Sequence, residues 1–332
     1  MTTFAWHCPG RRSLGRCLPA RMTVGLVAML AWLHAAVGSA AIQFSLGHFY
    51  TTDFQNKTTI VEYDENGSAL GSRNVSSAHE LRGLAFGPDQ LLYVVDSRPD
   101  QFDVLALDRF GAVQRTYSHA DPGGIRSLIS AGHIVFDGMG HFYVDHFKFT
   151  IGSPNSGQDF FTGAAMHDVA IGPNGNLLGI NDHDLFEITP TGEFVRSIGP
   201  SSGSFFNRSL RAVAYDPQSD SIYVAMLGDS SSPHPLMRLN GTSGSLIEST
   251  TLSNATDLFV TLNHGVLVGS RSVRPTRLDA SLGVLGFLEG TSTDRMFVTQ
   301  LVPVVPEPSG IALLAAGLSL AAIGPLRRRW LG

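Results

Sequence analysis

Beyond residue 40 the chain has no cysteine, since its only two, Cys8 and Cys17, lie near the start. Thiol nucleophiles, thiolate zinc sites and disulfide stapling are therefore excluded from the rest of the chain. Whatever folds there must stand on an apolar core, which a segment of this length can supply. Acid is missing from the first forty residues, which carry Arg11, Arg12, Arg16 and Arg21. Base is scarce in the middle. Of 23 Lys and Arg residues, four lie in that opening stretch and three (Arg327, Arg328 and Arg329) in the last six residues. The 16 that remain face 27 acidic residues, a net charge of −11 between them. An acidic body without a basic stripe is a poor ligand for nucleic acid, and no nucleic-acid partner is expected. Also absent are His-Glu-x-x-His, phosphate-loop and EF-hand patterns. Nothing announces an enzyme, no catalytic residue is assigned, and no cofactor is called for.

What is present begins with two apolar segments at the ends. Basic residues precede an apolar run from Met22 to Val37, which is followed by the small residues Gly38-Ser39-Ala40-Ala41. That is the three-part form of a secretory leader cut by signal peptidase, with Met1 or Met22 as its start. The pair Arg11-Arg12 suits a twin-arginine leader less well, because Gly15 follows Leu14 where a second apolar residue belongs. Near the other end, Pro306-Glu307-Pro308 precedes an apolar run from Gly310 to Leu326, and the three arginines follow directly. Seventeen residues of helix reach about 25 Å, enough for a thin bilayer. The arginines would hold its far end on the cytoplasmic side. Gly310, Ala312, Ala315, Gly317 and Ala321 make the run slim, so another membrane helix can approach closely.

The tail resembles the PEP-CTERM sorting domain, which joins a Pro-Glu-Pro motif to a short apolar helix and a basic terminus. The resemblance covers residues 306–332 alone. It implies processing by an exosortase-type membrane enzyme that reads Pro306, Glu307, Pro308 and Arg327, Arg328 and Arg329. It also implies anchorage in the inner membrane before processing, and the cell surface or extracellular matrix afterwards. About the activity of the body it implies nothing.

The body repeats. Gly83-Leu-Ala-Phe-Gly-Pro-Asp-Gln-Leu-Leu-Tyr-Val-Val-Asp96 aligns with segments 168–181 and 212–225, each an apolar strand, a proline turn and a second apolar strand. Segments 133–144 and 257–268 follow the same scheme without the proline. A second hairpin closes on a glycine at 67, 111, 192, 244 and 283, with one copy expected to be lost near 149–157. The glycine interval is about 43 residues per unit, the length of a four-stranded propeller blade. The expected architecture is all-β: a six-bladed β-propeller over 41–304, flanked by a signal peptide (1–40) and a sorting tail (305–332) with a single membrane helix at 310–326. A strand at 296–302 would close the ring. A β-sandwich pair or a β-helix is the alternative. Gly-Leu-Ala-Phe-Gly-Pro-Asp followed by Leu-Tyr-Val-Val-Asp is loosely similar to NHL-repeat and gluconolactonase-like propellers, which names an architecture.

In a propeller, side chains at the start of each innermost strand converge on the central channel. The matching positions hold Arg82, His133, His167, Asp168, Arg211 and Asp257, with Glu80 nearby. One reading is a ring of charge pairs that satisfies polar groups where the blades meet. The other is a channel-mouth site for an anionic sugar, a lactone or a divalent metal, as the lactonase resemblance implies, although the expected asparagine ligands are missing. Asn181-Asp182-His183-Asp184 reads as a solvated turn. His141 with Asp145 falls on one strand face and His146 on the other, so no three-ligand cluster is expected there. Phe160-Phe161 and Phe205-Phe206 read as loop anchors, with sugar stacking as the alternative. The expected function is therefore a non-catalytic envelope or matrix protein that binds polysaccharide or another envelope protein. The alternative is a propeller hydrolase or lactonase with a divalent ion in its channel.

Overall fold

The computed structural model describes residues 44–53, 55–98, 101–118, 133–161, 166–199, 209–226, 234–252, 255–270, 273–290 and 297–301. The expected leader at 1–40, the expected sorting tail with its 310–326 segment, and Phe205-Phe206 lie outside the described residues. Twenty-four strands form six four-stranded antiparallel sheets, and the described residues contain no α-helix. Each sheet is one blade of a six-bladed β-propeller.

Five blades are simple meanders of consecutive strands. Their innermost strands are Leu81–Phe86, Ile134–Phe136, Asp168–Ile171, Leu210–Asp216 and Ala255–Val260, in blades 2 to 6. Blade 1 is built from both ends of the body. Its inner strand, Val298–Gln300, pairs with Phe49–Thr52, setting Phe49 opposite Gln300 and Thr51 opposite Val298. The ring therefore closes on the strand expected at 296–302.

Sequence pattern explains the strand order. Second strands such as Leu92–Ser97 are apolar on both faces because they are buried between neighbouring blades. Their tyrosines carry a polar tip into that interior, and the tip finds a partner. The Tyr93 hydroxyl donates to Asp89 at 3.0 Å and that of Tyr143 to Asp137 at 3.1 Å, while Tyr223 reaches Ala280 O of the next blade at 3.3 Å. Outermost strands, such as Val113–Ser118, are largely exposed.

Two expectations about the hairpins are corrected. The hairpin thought lost near 149–157 exists: Phe147–Thr150 pairs with the two-residue strand Gln158–Asp159 across a longer connection. The glycine rule also breaks once. Gly67, Gly111, Gly192 and Gly244 have positive φ, but in blade 6 the buried Leu282 takes that conformation (φ 58°) in place of Gly283. The Asp279 carboxylate holds this turn by accepting the N–H groups of Ser281 and Gly283 at 2.8 and 2.9 Å.

At three of the six junctions a long cation clasps one blade to the next at its outer edge. Lys148 donates to Pro190 O at 3.3 Å, Arg196 to Gly241 O at 3.0 Å and Thr242 O at 2.5 Å, and Arg277 to Asn66 O across the closure at 2.7 Å.

Every inner strand starts at one face of the ring, here the mouth face, and ends at the other, the rim face. Antiparallel pairing carries this polarity outward: Phe86 faces Leu92, Leu92 faces Leu107, and Leu107 faces Val113, all at the rim face.

Candidate functional site: the central channel

The inner strands of all six blades enclose a cavity of about 290 Å³. Most of its wall is apolar, with Phe86, Phe136, Ile171, Tyr215 and Phe259 toward the rim face. His133 stands at the mouth end.

Of the seven residues expected at the channel, three converge. Donor atoms of His133, Asp168 and Asp257 lie within 4.8 Å of one another, and the three residues are 8%, 3% and 2% exposed. His133 belongs to blade 3 and Asp257 to blade 6, the blade directly opposite. The His133 Nδ1 to Asp257 Oδ1 bond, at 2.8 Å, therefore crosses the channel and stops its mouth. Each carboxylate also ties inner strands together. Asp168 accepts Val169 N–H at 2.9 Å and Val213 N–H of the next blade at 2.8 Å. Asp257 accepts Leu258 N–H at 3.0 Å and Val298 N–H of blade 1 at 2.8 Å. The same device occurs at two of the six blade junctions. The second of them, through Val298, helps to hold the closing strand.

The other four expected residues lie elsewhere, and strand alternation explains why. His133, Asp168 and Asp257 align with Gly83 and Ala212, each one residue before the buried Ile134, Val169, Leu258, Leu84 and Val213. Arg82, His167 and Arg211 sit one residue earlier and belong to a different column of the repeat. In blades 2 and 5 a register shift at that point loosens the alignment further: Leu81 and Leu84 bracket one bulge, Leu210 and Ala212 the other. Glu80 pairs with Lys57 at 2.7 Å and Arg82 at 2.9 Å. Burial opposes ionisation of Glu80, but these cations outweigh it and lower its pKa. His167 pairs with Asp182 at 3.1 Å, and Asp182 also accepts the Ser209 hydroxyl. That hydroxyl first, with His167 and Arg211, holds the Asp182 carboxyl low. The charge pair at the centre is His133 with Asp257.

One member was missed. Asp145 follows the second strand of blade 3 in a left-handed conformation (φ 52°), is 4% exposed, and its Oδ1 has no hydrogen-bond partner. Burial, with Asp168 near, raises its pKa well above the carboxylate range, and Arg82 acts against this. Simple alternation put Asp145 with His141. The left-handed turn takes it out of the strand, and His141 pairs with Asp137 at 2.8 Å instead. Asn181–Asp184 is a turn as expected, its Asn181 side-chain Oδ1 accepting His183 and Asp184 N–H at 2.8 and 2.7 Å. Phe161 is buried against Phe186, and Phe160 packs on Tyr143, so this pair anchors a loop.

Electrostatics within the cluster are shared. Burial alone would lower the pKa of His133, but Asp257 and Asp168 raise it to about 9. Burial raises Asp168 to about 7, with His133 opposing and Asp257 adding. Near neutrality the cluster holds an imidazolium between two carboxyl groups and is close to gaining or losing one proton.

No protein-family model matches the chain, and no curated protein does. Solved structures match its fold. A protein of unknown function from Bacteroides caccae superposes with a TM-score of 0.54 at 14% identity, covering 76% of this chain and 98% of its own. Virginiamycin B lyase from Staphylococcus aureus, in a catalytically inactive form with quinupristin, gives 0.52 at 10% identity over 76% of this chain and 84% of its own. A putative 6-phosphogluconolactonase from Bacteroides fragilis gives 0.51 at 12% identity over 79% of this chain and 100% of its own. At these identities the likeness shows the fold, a β-propeller, and no more.

Proposed function

We propose that the protein is an exported cell-envelope or matrix protein whose propeller is a non-catalytic binding or structural module. In this reading signal peptidase removes the leader, the tail holds the precursor in the inner membrane, and an exosortase-type enzyme processes it. The propeller then offers its loop faces to polysaccharide or another envelope protein. The leader and tail patterns support the export half. For the propeller, the observation that carries the choice is the use made of Asp168 and Asp257. Their oxygens are spent on backbone N–H groups of adjoining blades and on His133, which makes the mouth cluster a girdle for the ring. Glu307→Ala or Pro306→Ala should leave export intact and make full-length precursor accumulate in immunoblotted membrane fractions. Unchanged processing would reduce the tail to a plain anchor.

A second reading, a hydrolase or lactonase with a divalent ion at the mouth, draws on the three convergent donors and the unpartnered oxygen of Asp145. As arranged, the donors fit an ion poorly. An imidazole must be neutral to ligate, so an ion would have to displace the 2.8 Å His133–Asp257 bond and the proton in it. Melting curves with added calcium, magnesium, manganese or zinc separate the readings. The girdle predicts no change in parent or Asp168→Asn protein. A melting point that climbs with one ion in the parent alone would establish the metal site by mass action.

A further inference from the structure

The described surface is asymmetric in an unusual way. Large apolar side chains that are substantially exposed gather at the rim face. Leu70, Val113, Phe194, Leu246 and Val284 lie at or near the start of the outermost strands of five blades, and all are 37–60% exposed. Val195, Ile247 and Leu285 follow three of them and are exposed as well. Blade 3, whose outermost strand is only Gln158–Asp159, contributes Met139 from a rim-face turn, 65% exposed. Among the exposed large apolar residues of the described chain, Phe287 alone lies away from this face. Repetition at one blade position, blade after blade, marks a recurring apolar border instead of chance exposure.

Both connections of the body to the rest of the chain open at the same face. Gln300 ends the inner strand of blade 1 opposite Phe49, and Gly47 N–H donates to Leu301 O at 3.0 Å. From Leu301 only residues 302–309 precede the apolar run at Gly310. Eight residues reach at most about 29 Å when fully extended. A membrane-held run at 310–326 therefore keeps the rim face within about one bilayer thickness of the lipid surface.

We propose that the rim face is a membrane-docking surface. While the tail is in the bilayer, the apolar border rests in the headgroup boundary, and the mouth face with His133, Asp168 and Asp257 points away from the lipid. The inference rests on the reading of the tail as membrane-held. Apolar insertion drives the contact. The border carries both signs of charge, Asp64, Glu65, Asp108, Glu193 and Asp279 beside Arg109, Arg196 and Arg277, so headgroup charge is not the driving term.

The absence of cysteine from the body makes the test direct. In full-length chain with Cys8→Ser and Cys17→Ser, single cysteines replace Phe194 or Val284 at the rim, or His183 in an exposed mouth-face turn. Each is labelled with an environment-sensitive dye and reconstituted in phosphatidylcholine vesicles with or without a doxyl-labelled lipid. The expected result is that the rim labels shift to shorter wavelength and lose most of their emission to the doxyl lipid, while the His183→Cys label does neither. Chain that resists a carbonate wash but shows rim labels as unquenched as the mouth label would overturn docking and leave the membrane-held tail standing. Chain that washes off would overturn both. Rim labels that blue-shift without lipid quenching would show that a protein covers this face, and would overturn docking too.

Discussion

Gly192 sits where blade 4 meets blade 3, with φ at +88° and the Phe160 carbonyl oxygen 1.6 Å from where a Cβ would stand. Alanine there meets two penalties, a left-handed backbone and a collision with main chain that cannot rotate away. Gly192→Ala should therefore destabilise by clearly more than about 1 kcal/mol, lowering the melting point by several degrees. Alanine at Gly175, with similar φ and open space around it, should cost less. The mouth cluster makes a pH prediction. Asp168 keeps its proton to about pH 7 in the folded protein, whereas the unfolded chain sheds it near about 3.9. The folded state binds the extra proton in that window, so this contribution to stability falls as pH rises through it. His133, raised to about 9, contributes in full below about 6.5 and loses its contribution as pH climbs through 9. Both signs agree: the parent's melting point should decline from pH 5.5 to 9.5. Asp168→Asn should start lower, having lost a backbone acceptor, and run flatter from pH 5.5 to 7.5. Equal slopes by scanning calorimetry would contradict the assignment.

At the scale of strands and turns, the repeat was legible because each blade obeys local rules. Proline or Asx turns, period-two outer strands and doubly apolar second strands are properties of a few consecutive residues. The failures occurred where a local rule met a non-local partner. Leu282 tolerates a left-handed conformation because its side chain is buried and Asp279 holds the turn, neither of which follows from its residue type. Asp145 was misassigned because one left-handed residue ends the alternation that placed it beside His141. Arg82, Arg211 and His167 were grouped with His133 and Asp168 because a one-residue difference in alignment is invisible until pairing is known. That His133 faces Asp257 depends on blades 3 and 6 standing opposite, a fact of ring size. The clasps are testable at this scale. Arg277→Ala removes the bond to Asn66 O and uncovers Phe49, over which the guanidinium lies at 5.3 Å. It should cost about 1–2 kcal/mol. Hydrogen exchange should then quicken in blades 1 and 6 ahead of blade 3.

For the whole molecule, stability is that of a closed ring, because every blade is packed against two others. Deleting residues 297–301 removes the inner strand of blade 1, the acceptor's partner at Val298, and the apolar contacts of Phe297 and Leu301. The expected product exposes the Phe49–Thr52 edge and aggregates. A soluble monomer with the parent's melting point, by light scattering and circular dichroism, would mean that five blades and a fragment suffice. A truncated but stable product would instead describe an open array whose units need only nearest neighbours.

The closing strand also sets a clock. Blade 1 receives its first three strands at the start of synthesis and its fourth after all the others have been made, so nearly the whole body must emerge before the ring can exist. Leu301 is followed within nine residues by the apolar run at Gly310. Under the proposed reading of the tail, a chain threaded through a membrane from its N-terminus would arrive at completion and at its stop segment almost together. A message broken anywhere upstream yields a chain with neither a finished ring nor a tail. On that reading, folding competence and the processing signal would be inspected as one property of the same last few dozen residues.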